Sequence, residues 1–235
     1  MGFVVPVSNA NLEPDMVRLA PQGVSVHFMR AGGYDLDKVP DSEQMRQFAD
    51  ATLDEVLSSL CAVRPSVIAY GCTSATLSYG PNYDRQFCHK MEAKSGVPCV
   101  TAAGALVETI RDLGIQQVGF GSPYTEQLNQ EGAQFLEQQQ IAVKNIAYVG
   151  SDLGNYGQSE LQPDEVFDIG MRADHPEVQA IVLSCTDMRA VEVVEALEFA
   201  LKKPVITSNQ ALMYVSAKRI KMQSLAPGKV GDIAI

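Results

Sequence analysis

Two of the five cysteines stand apart because each ends a short apolar run and is followed by threonine: Ser66-Val-Ile-Ala-Tyr-Gly-Cys72-Thr73 and Ala180-Ile-Val-Leu-Ser-Cys185-Thr186. A thiol placed where a strand gives way to a helix gains backbone amide donors and the positive end of the helix dipole. Both favour thiolate and are expected to lower its pKa. Such a sulfur can attack as a nucleophile or carry a proton. Two of them, presented from opposite sides, would act on both faces of one small molecule. Cys61, Cys88 and Cys99 have no such counterpart, sit inside helical or strand segments, and read as packing residues. The odd number of cysteines, without CxxC or Cys/His spacing, argues against a disulfide framework and against a metal site.

The elements that must position these thiols alternate along the chain. Phe3 to Val7, Val24 to Met29, Val67 to Gly71, Pro98 to Thr101, Gln117 to Gly121, Asn145 to Val149, Ala180 to Ser184 and Pro204 to Thr207 read as strands. Ser42 to Leu60, Tyr83 to Lys94, Ala103 to Leu113, Thr125 to Gln139, Pro163 to Ala173 and Met188 to Leu201 read as helices. This alternation predicts an α/β fold of parallel sheets flanked by helices. An internal repeat divides it. Both halves carry a strand, Cys-Thr, a helix, a Pro-Val strand, Thr, and Ala-Leu entering another helix, at Val97 to Leu106 and at Lys203 to Leu212. A weaker match pairs Val4 to Asn9 with Val118 to Pro123. The expected organisation is two pseudo-symmetric domains, residues 1–100 and 101–208, with a C-terminal helix at 209–220 returning to the first. In such sheets the ligand crevice lies beyond the carboxyl ends of the strands, where both Cys72 and Cys185 fall.

Composition narrows the function. A formal net charge of -10, with no basic stripe, argues against nucleic-acid binding. The longest apolar runs are strand-sized, far below the roughly 20 residues of a membrane helix. The first residues lack a secretory signal, so a cytoplasmic protein is expected. Neither GxGxxG nor GxxxxGK[ST] follows the first strand, which leaves chemistry without a cofactor.

At the two Cys-Thr pairs the chain resembles the aspartate/glutamate racemase superfamily, which implies two pseudo-symmetric α/β domains with the active site in the cleft between them. The resemblance extends over nearly the whole chain. Glutamate-type racemases open with an Asp-Ser-Gly-rich loop and carry His after the second Cys-Thr, whereas here the first loop is Pro6-Val-Ser-Asn9 and Asp187 follows Thr186. Maleate cis-trans isomerases are more similar: the resemblance implies that Asn9, Tyr124 and Asn155 hold substrate carboxylates, with Thr186 beside them. Arylmalonate decarboxylases share the donors that match Thr73, Ser74 and Tyr124, but have Gly where this chain has Cys72.

The implied activity is cofactor-independent isomerisation of a small carboxylic acid of the maleate type. Cys72 would be the nucleophilic thiolate and Cys185 the acid/base, with no cofactor, no metal, a small carboxylate as partner and a homodimer as the assembly. Two alternatives stay open: a two-cysteine racemase or epimerase of an α-substituted acid, and a non-catalytic carboxylate-binding protein. The accessory residues also have structural readings. Asn9, Thr73 and Ser74 suit helix caps, Tyr124 suits packing with a wet hydroxyl, and Asn155 suits a turn. Tyr34 to Pro40 reads as an exposed loop or a lid, and Met222 to Ile235, with few periodic apolar residues, is expected to be poorly ordered.

Overall fold

The computed structural model describes residues 1–32, 43, 47, 53–154 and 156–235. Asn155, the Tyr34 to Pro40 loop and most of residues 42–52 lie outside that range. Among the described residues, eight strands form two parallel sheets of four: β1 (Gly2–Pro6), β2 (His27–Ala31), β3 (Ile68–Tyr70) and β4 (Cys99–Thr101) in the order β2-β1-β3-β4, and β5 (Gln117–Ser122), β6 (Ala142–Tyr148), β7 (Ala180–Leu183) and β8 (Val205–Thr207) in the order β6-β5-β7-β8. The two orders are the same, so the repeat seen in the residues is also a repeat of topology. Every pairing is parallel and therefore needs a crossover, which the helices supply. The inner strands β3 and β7 are buried from end to end and rich in apolar residues, as a sheet covered on both faces requires.

Strand edges moved where local geometry overrode apolar pattern. β2 starts at His27, not Val24, because Gly23 has φ +83° and Val24 closes a turn onto the Pro21 carbonyl; the ladder begins when the His27 amide donates to Met1. β6 starts at Ala142, earlier than the expected Asn145, pairing with β5 through a register shift at Val118/Gly119. A side chain at Gly119 would meet the Ala173 carbonyl at 2.1 Å, so only glycine lets helix Pro163–Ala173 lie this close to the sheet.

One hydrophobic core runs through both sheets. Helix Ser208–Arg219 is buried along most of its length and packs against helix Ala102–Asp112, helix Leu12–Leu19 and β4. Its Thr207 start carries a reciprocal capping box with Gln210. The expectation of a poorly ordered tail is overturned. Ser224 and Val230 are buried, the Leu225 amide donates to the Leu19 carbonyl, and Gln210 donates to the Pro227 carbonyl at 2.8 Å. These anchors are single residues of a non-periodic segment, so no pattern announces them. No described helix is long and apolar enough to cross a membrane.

Candidate active site

Cys72 follows β3 after Gly71. A Cβ on Gly71 would sit 2.2 Å from Leu12 Cδ2 and 2.9 Å from the Val4 carbonyl oxygen, so glycine is what lets the strand end close under helix Leu12–Leu19. The Cys72 sulfur lies 3.6 Å from Ser74 Oγ, at the start of the short helix Ser74–Leu77. Burial is the largest influence on this thiol and raises its pKa; the Ser74 hydroxyl and the backbone amides of Ala75 and Ser74 act the other way. The expected lowered pKa is therefore corrected: desolvation outweighs the donors.

Cys185 follows β7 and Ser184 and is only 4% exposed. Its thiol donates to Gln158 Oε1 at 3.2 Å and its sulfur accepts from the Asp187 amide at 3.3 Å. Burial, then the Asp187 carboxylate, push its pKa well up, so this sulfur too holds its proton at rest. Cys185 senses the charge of Cys72, and the buried Tyr124 hydroxyl senses both cysteines. Burial and the two cysteines hold Tyr124 well above the ordinary phenol range. The structure thus gathers Cys72, Ser74, Tyr124 and Cys185 about one place.

Asn9, Thr73 and Thr186 join the two halves around that place. Asn9 Nδ2 donates to Thr186 Oγ1 at 3.0 Å, and Thr186 Oγ1 donates to the Gly71 carbonyl at 2.8 Å. Asn9 Oδ1 accepts the amides of Asn11 and Leu12, so the residue also caps the first helix. Thr73 caps nothing with its side chain; its hydroxyl donates to Ser208 Oγ at 3.0 Å. Asp187 Oδ1 accepts the amides of Ala10 and Asn11 at 2.8 and 3.2 Å, and burial raises its pKa to about 6. Asn155 lies outside the described residues. Arg189, adjacent to the second Cys-Thr loop, turns outward and pairs with Glu192 at 2.7 Å.

Several contributors were not anticipated. Arg30 donates to the carbonyls of Pro6, Val7 and Asn9 and pairs with Glu13 at 2.7 Å, fixing the loop that carries Asn9. Asn209 donates both to Asp15 Oδ2 and to the Thr186 carbonyl, at 2.7 and 3.1 Å. Ser208 and Asn209 could have been found from the repeat, since they follow the Thr that ends its last strand. Arg30 and Gln158 carry no local signal. Among the described residues no group of three or more His, Cys, Asp or Glu is arranged to hold a metal.

Comparison with known proteins gives concordant results. A maleate isomerase of Alcaligenes faecalis is 28% identical over 185 residues, covering 74% of this chain and 72% of that protein. An arylmalonate decarboxylase of Bordetella bronchiseptica is 24% identical over 212 residues, covering 88% and 82%. Among solved structures, the maleate isomerase Iso of Pseudomonas putida S16 with maleate superposes with a TM-score of 0.88 at 22% identity, covering 99% of this chain and 97% of that one. A Nocardia farcinica maleate cis-trans isomerase variant with a covalently bound succinylcysteine intermediate does so with a TM-score of 0.88 at 22% identity, covering 98% and 96%. The arylmalonate decarboxylase family model matches residues 1–231, and with the match running from the first strand to the last helix, the chain belongs to that family.

Proposed function

We propose that the protein is a cofactor-independent cis-trans isomerase of a short unsaturated dicarboxylate of the maleate type, with Cys72 as nucleophile and Cys185 as acid/base. The observation that carries this reading is the unlike surroundings of the two thiols. Cys72 meets donors, the Ser74 hydroxyl and the amides of Ser74 and Ala75, which favour its thiolate. Cys185 also accepts from one donor, the Asp187 amide, but it in turn donates to an acceptor, the Gln158 carbonyl, and the Asp187 carboxylate is the largest influence on it after burial, which together favour its neutral thiol. One attacking sulfur and one proton-holding sulfur suit addition and elimination; a racemase that works in both directions needs each sulfur to serve as base in turn. Relatives that bear the name maleate isomerase support the same substrate class.

In the proposed cycle Cys72 reacts from its minor thiolate form, its proton having passed to solvent: the sulfur forms a bond to one olefinic carbon and the π electrons move to the other carbon and its carboxylate. Ser74 and Tyr124 stabilise that developing oxyanion. The former double bond rotates as a single bond. Cys185 can lend a proton to the carbanion and must recover one before the double bond reforms trans and Cys72 leaves. Asn9 and Thr186 act on the carboxylates from the loops after β1 and β7, Asn155 is assigned to the same task by family resemblance alone, and Thr73 fixes the Cys72 loop through Ser208. We further read the chain as two domains, 1–100 and 101–208, with helix 209–220 returning to the first, working as a cytoplasmic homodimer.

Proton NMR of maleate in deuterated buffer tests this. Fumarate should appear with the wild type, vanish with Cys72→Ala, and fall by about two to four orders of magnitude with Cys185→Ala, the range general acid/base groups supply. Deuterium entering Cα of 2-substituted acids without a new olefin would replace the proposal with a two-thiol racemase.

A further inference from the structure

We propose that Gln158 is a positioning residue for the acid/base thiol: its side-chain carbonyl holds the Cys185 proton and aims it into the cleft. The inference rests on the isomerase reading for its catalytic consequence, but not for the contact itself. The Cys185 thiol donates to Gln158 Oε1 at 3.2 Å, within reach for a sulfur donor. An amide oxygen accepts a hydrogen bond without being a base, so it orients the proton and leaves it on sulfur. Among the described contacts of Cys185, Gln158 is the group that accepts its proton: the Asp187 amide donates to the sulfur, the Asp187 carboxylate and Cys72 act on it through charge, and the Tyr124 hydroxyl favours its thiolate.

Gln158 is also held in place. It lies on the short helix Gly157–Glu160, immediately before the buried Leu161. Four residues on, Gln162 Oε1 accepts from Arg189 at 3.2 Å, and Gln162 closes a capping box with Glu165. The segment after β6 is thereby tied to the Cys185 loop at two points, Gln158 to Cys185 and Gln162 to Arg189. An orienting group on a fastened segment keeps the reacting proton within the narrow geometry that catalysis needs.

Two measurements on the intact protein separate this proposal from the isomerase reading. The first is the Raman S–H stretch of Cys185, identified as the band that Cys185→Ala removes. A donated hydrogen bond weakens the S–H bond, so in Gln158→Leu this band should move to higher wavenumber; Gln158→Met, which also lacks the carbonyl, should do the same, and Gln158→Glu, which keeps an acceptor, should not. The second is steady-state kinetics with maleate: kcat should fall about tenfold or more in Gln158→Leu with KM within about twofold, as expected for loss of orientation without loss of binding, and Gln158→Glu should recover part of it. An unmoved band in both Gln158→Leu and Gln158→Met overturns the proposal whether or not maleate is turned over. A moved band with kcat unchanged overturns the positioning role. A moved band in a protein that leaves maleate untouched sinks the isomerase reading and leaves the Gln158 contact standing.

Discussion

Thr186→Val removes one hydroxyl and keeps nearly the same volume, and the structure fixes what should follow. Thr186 is 4% exposed, donates to the Gly71 carbonyl at 2.8 Å, and accepts from Asn9 Nδ2 at 3.0 Å. Valine leaves both partners buried and unpaired. Each orphaned polar group costs about 1–3 kcal/mol, so the variant should lose roughly 2–6 kcal/mol of stability. For a chain of this length a kilocalorie corresponds to about 2–4 °C, which sets a melting decrease of roughly 4–24 °C. Turnover should fall too, because Gly71 precedes Cys72 and a displacement of about 1 Å at a reacting atom can cost a hundredfold. Thermal unfolding followed by circular dichroism, paired with initial rates on maleate, measures both. Thr186→Ser keeps the hydroxyl and should preserve most of the melting temperature and activity. A Thr186→Val protein that melts within about 2 °C of wild type would refute the view that this hydroxyl latches the two halves.

Two further outcomes follow from the same geometry. Gly71→Ala puts a methyl against the Val4 carbonyl oxygen and Leu12; the backbone oxygen cannot swing aside as a side chain can, so the urea midpoint should drop by an amount equivalent to about 1–3 kcal/mol and turnover by at least tenfold. Asp187 is raised by burial to about 6, above its unfolded value, so the folded state takes up a proton that the unfolded state does not between about pH 4 and 6. Its contribution therefore favours folding at low pH and is lost as pH rises through about 6, by up to roughly 3 kcal/mol. In urea titrations the difference between wild type and Asp187→Asn should show that slope between pH 4 and 6 and flatten above; a difference that does not vary with pH would exclude the assignment.

The sequence by itself carried the eight strands, their parallel arrangement and the two-fold repeat, because apolar runs separated by amphipathic stretches leave few ways to bury both faces of a strand. It also singled out Cys72 and Cys185, since a Cys-Thr pair at two equivalent strand ends is a local pattern. Helix Pro163–Ala173 matched its expected bounds because Gln162, Pro163 and Glu165 encode its start within four residues. Chain edges were less legible where one turn decided them, as at Gly23 before β2.

Only the tertiary structure decided how the two halves meet and what state the thiols are in. Thr186 reaches Gly71 across 115 positions of chain, Asp187 reaches Ala10 across 177, and Asn209 reaches Asp15 across 194, separations that no window of sequence spans. The thiol charge was misjudged for the same reason. The amides and hydroxyl beside Cys72 are its own neighbours in the chain and could be read, but the burial that outweighs them comes from elements folded over it from elsewhere. Gln158 is the plainest case: nothing in its surroundings along the chain marks it, and only its approach to Cys185, 27 residues away, gives it a part in the chemistry.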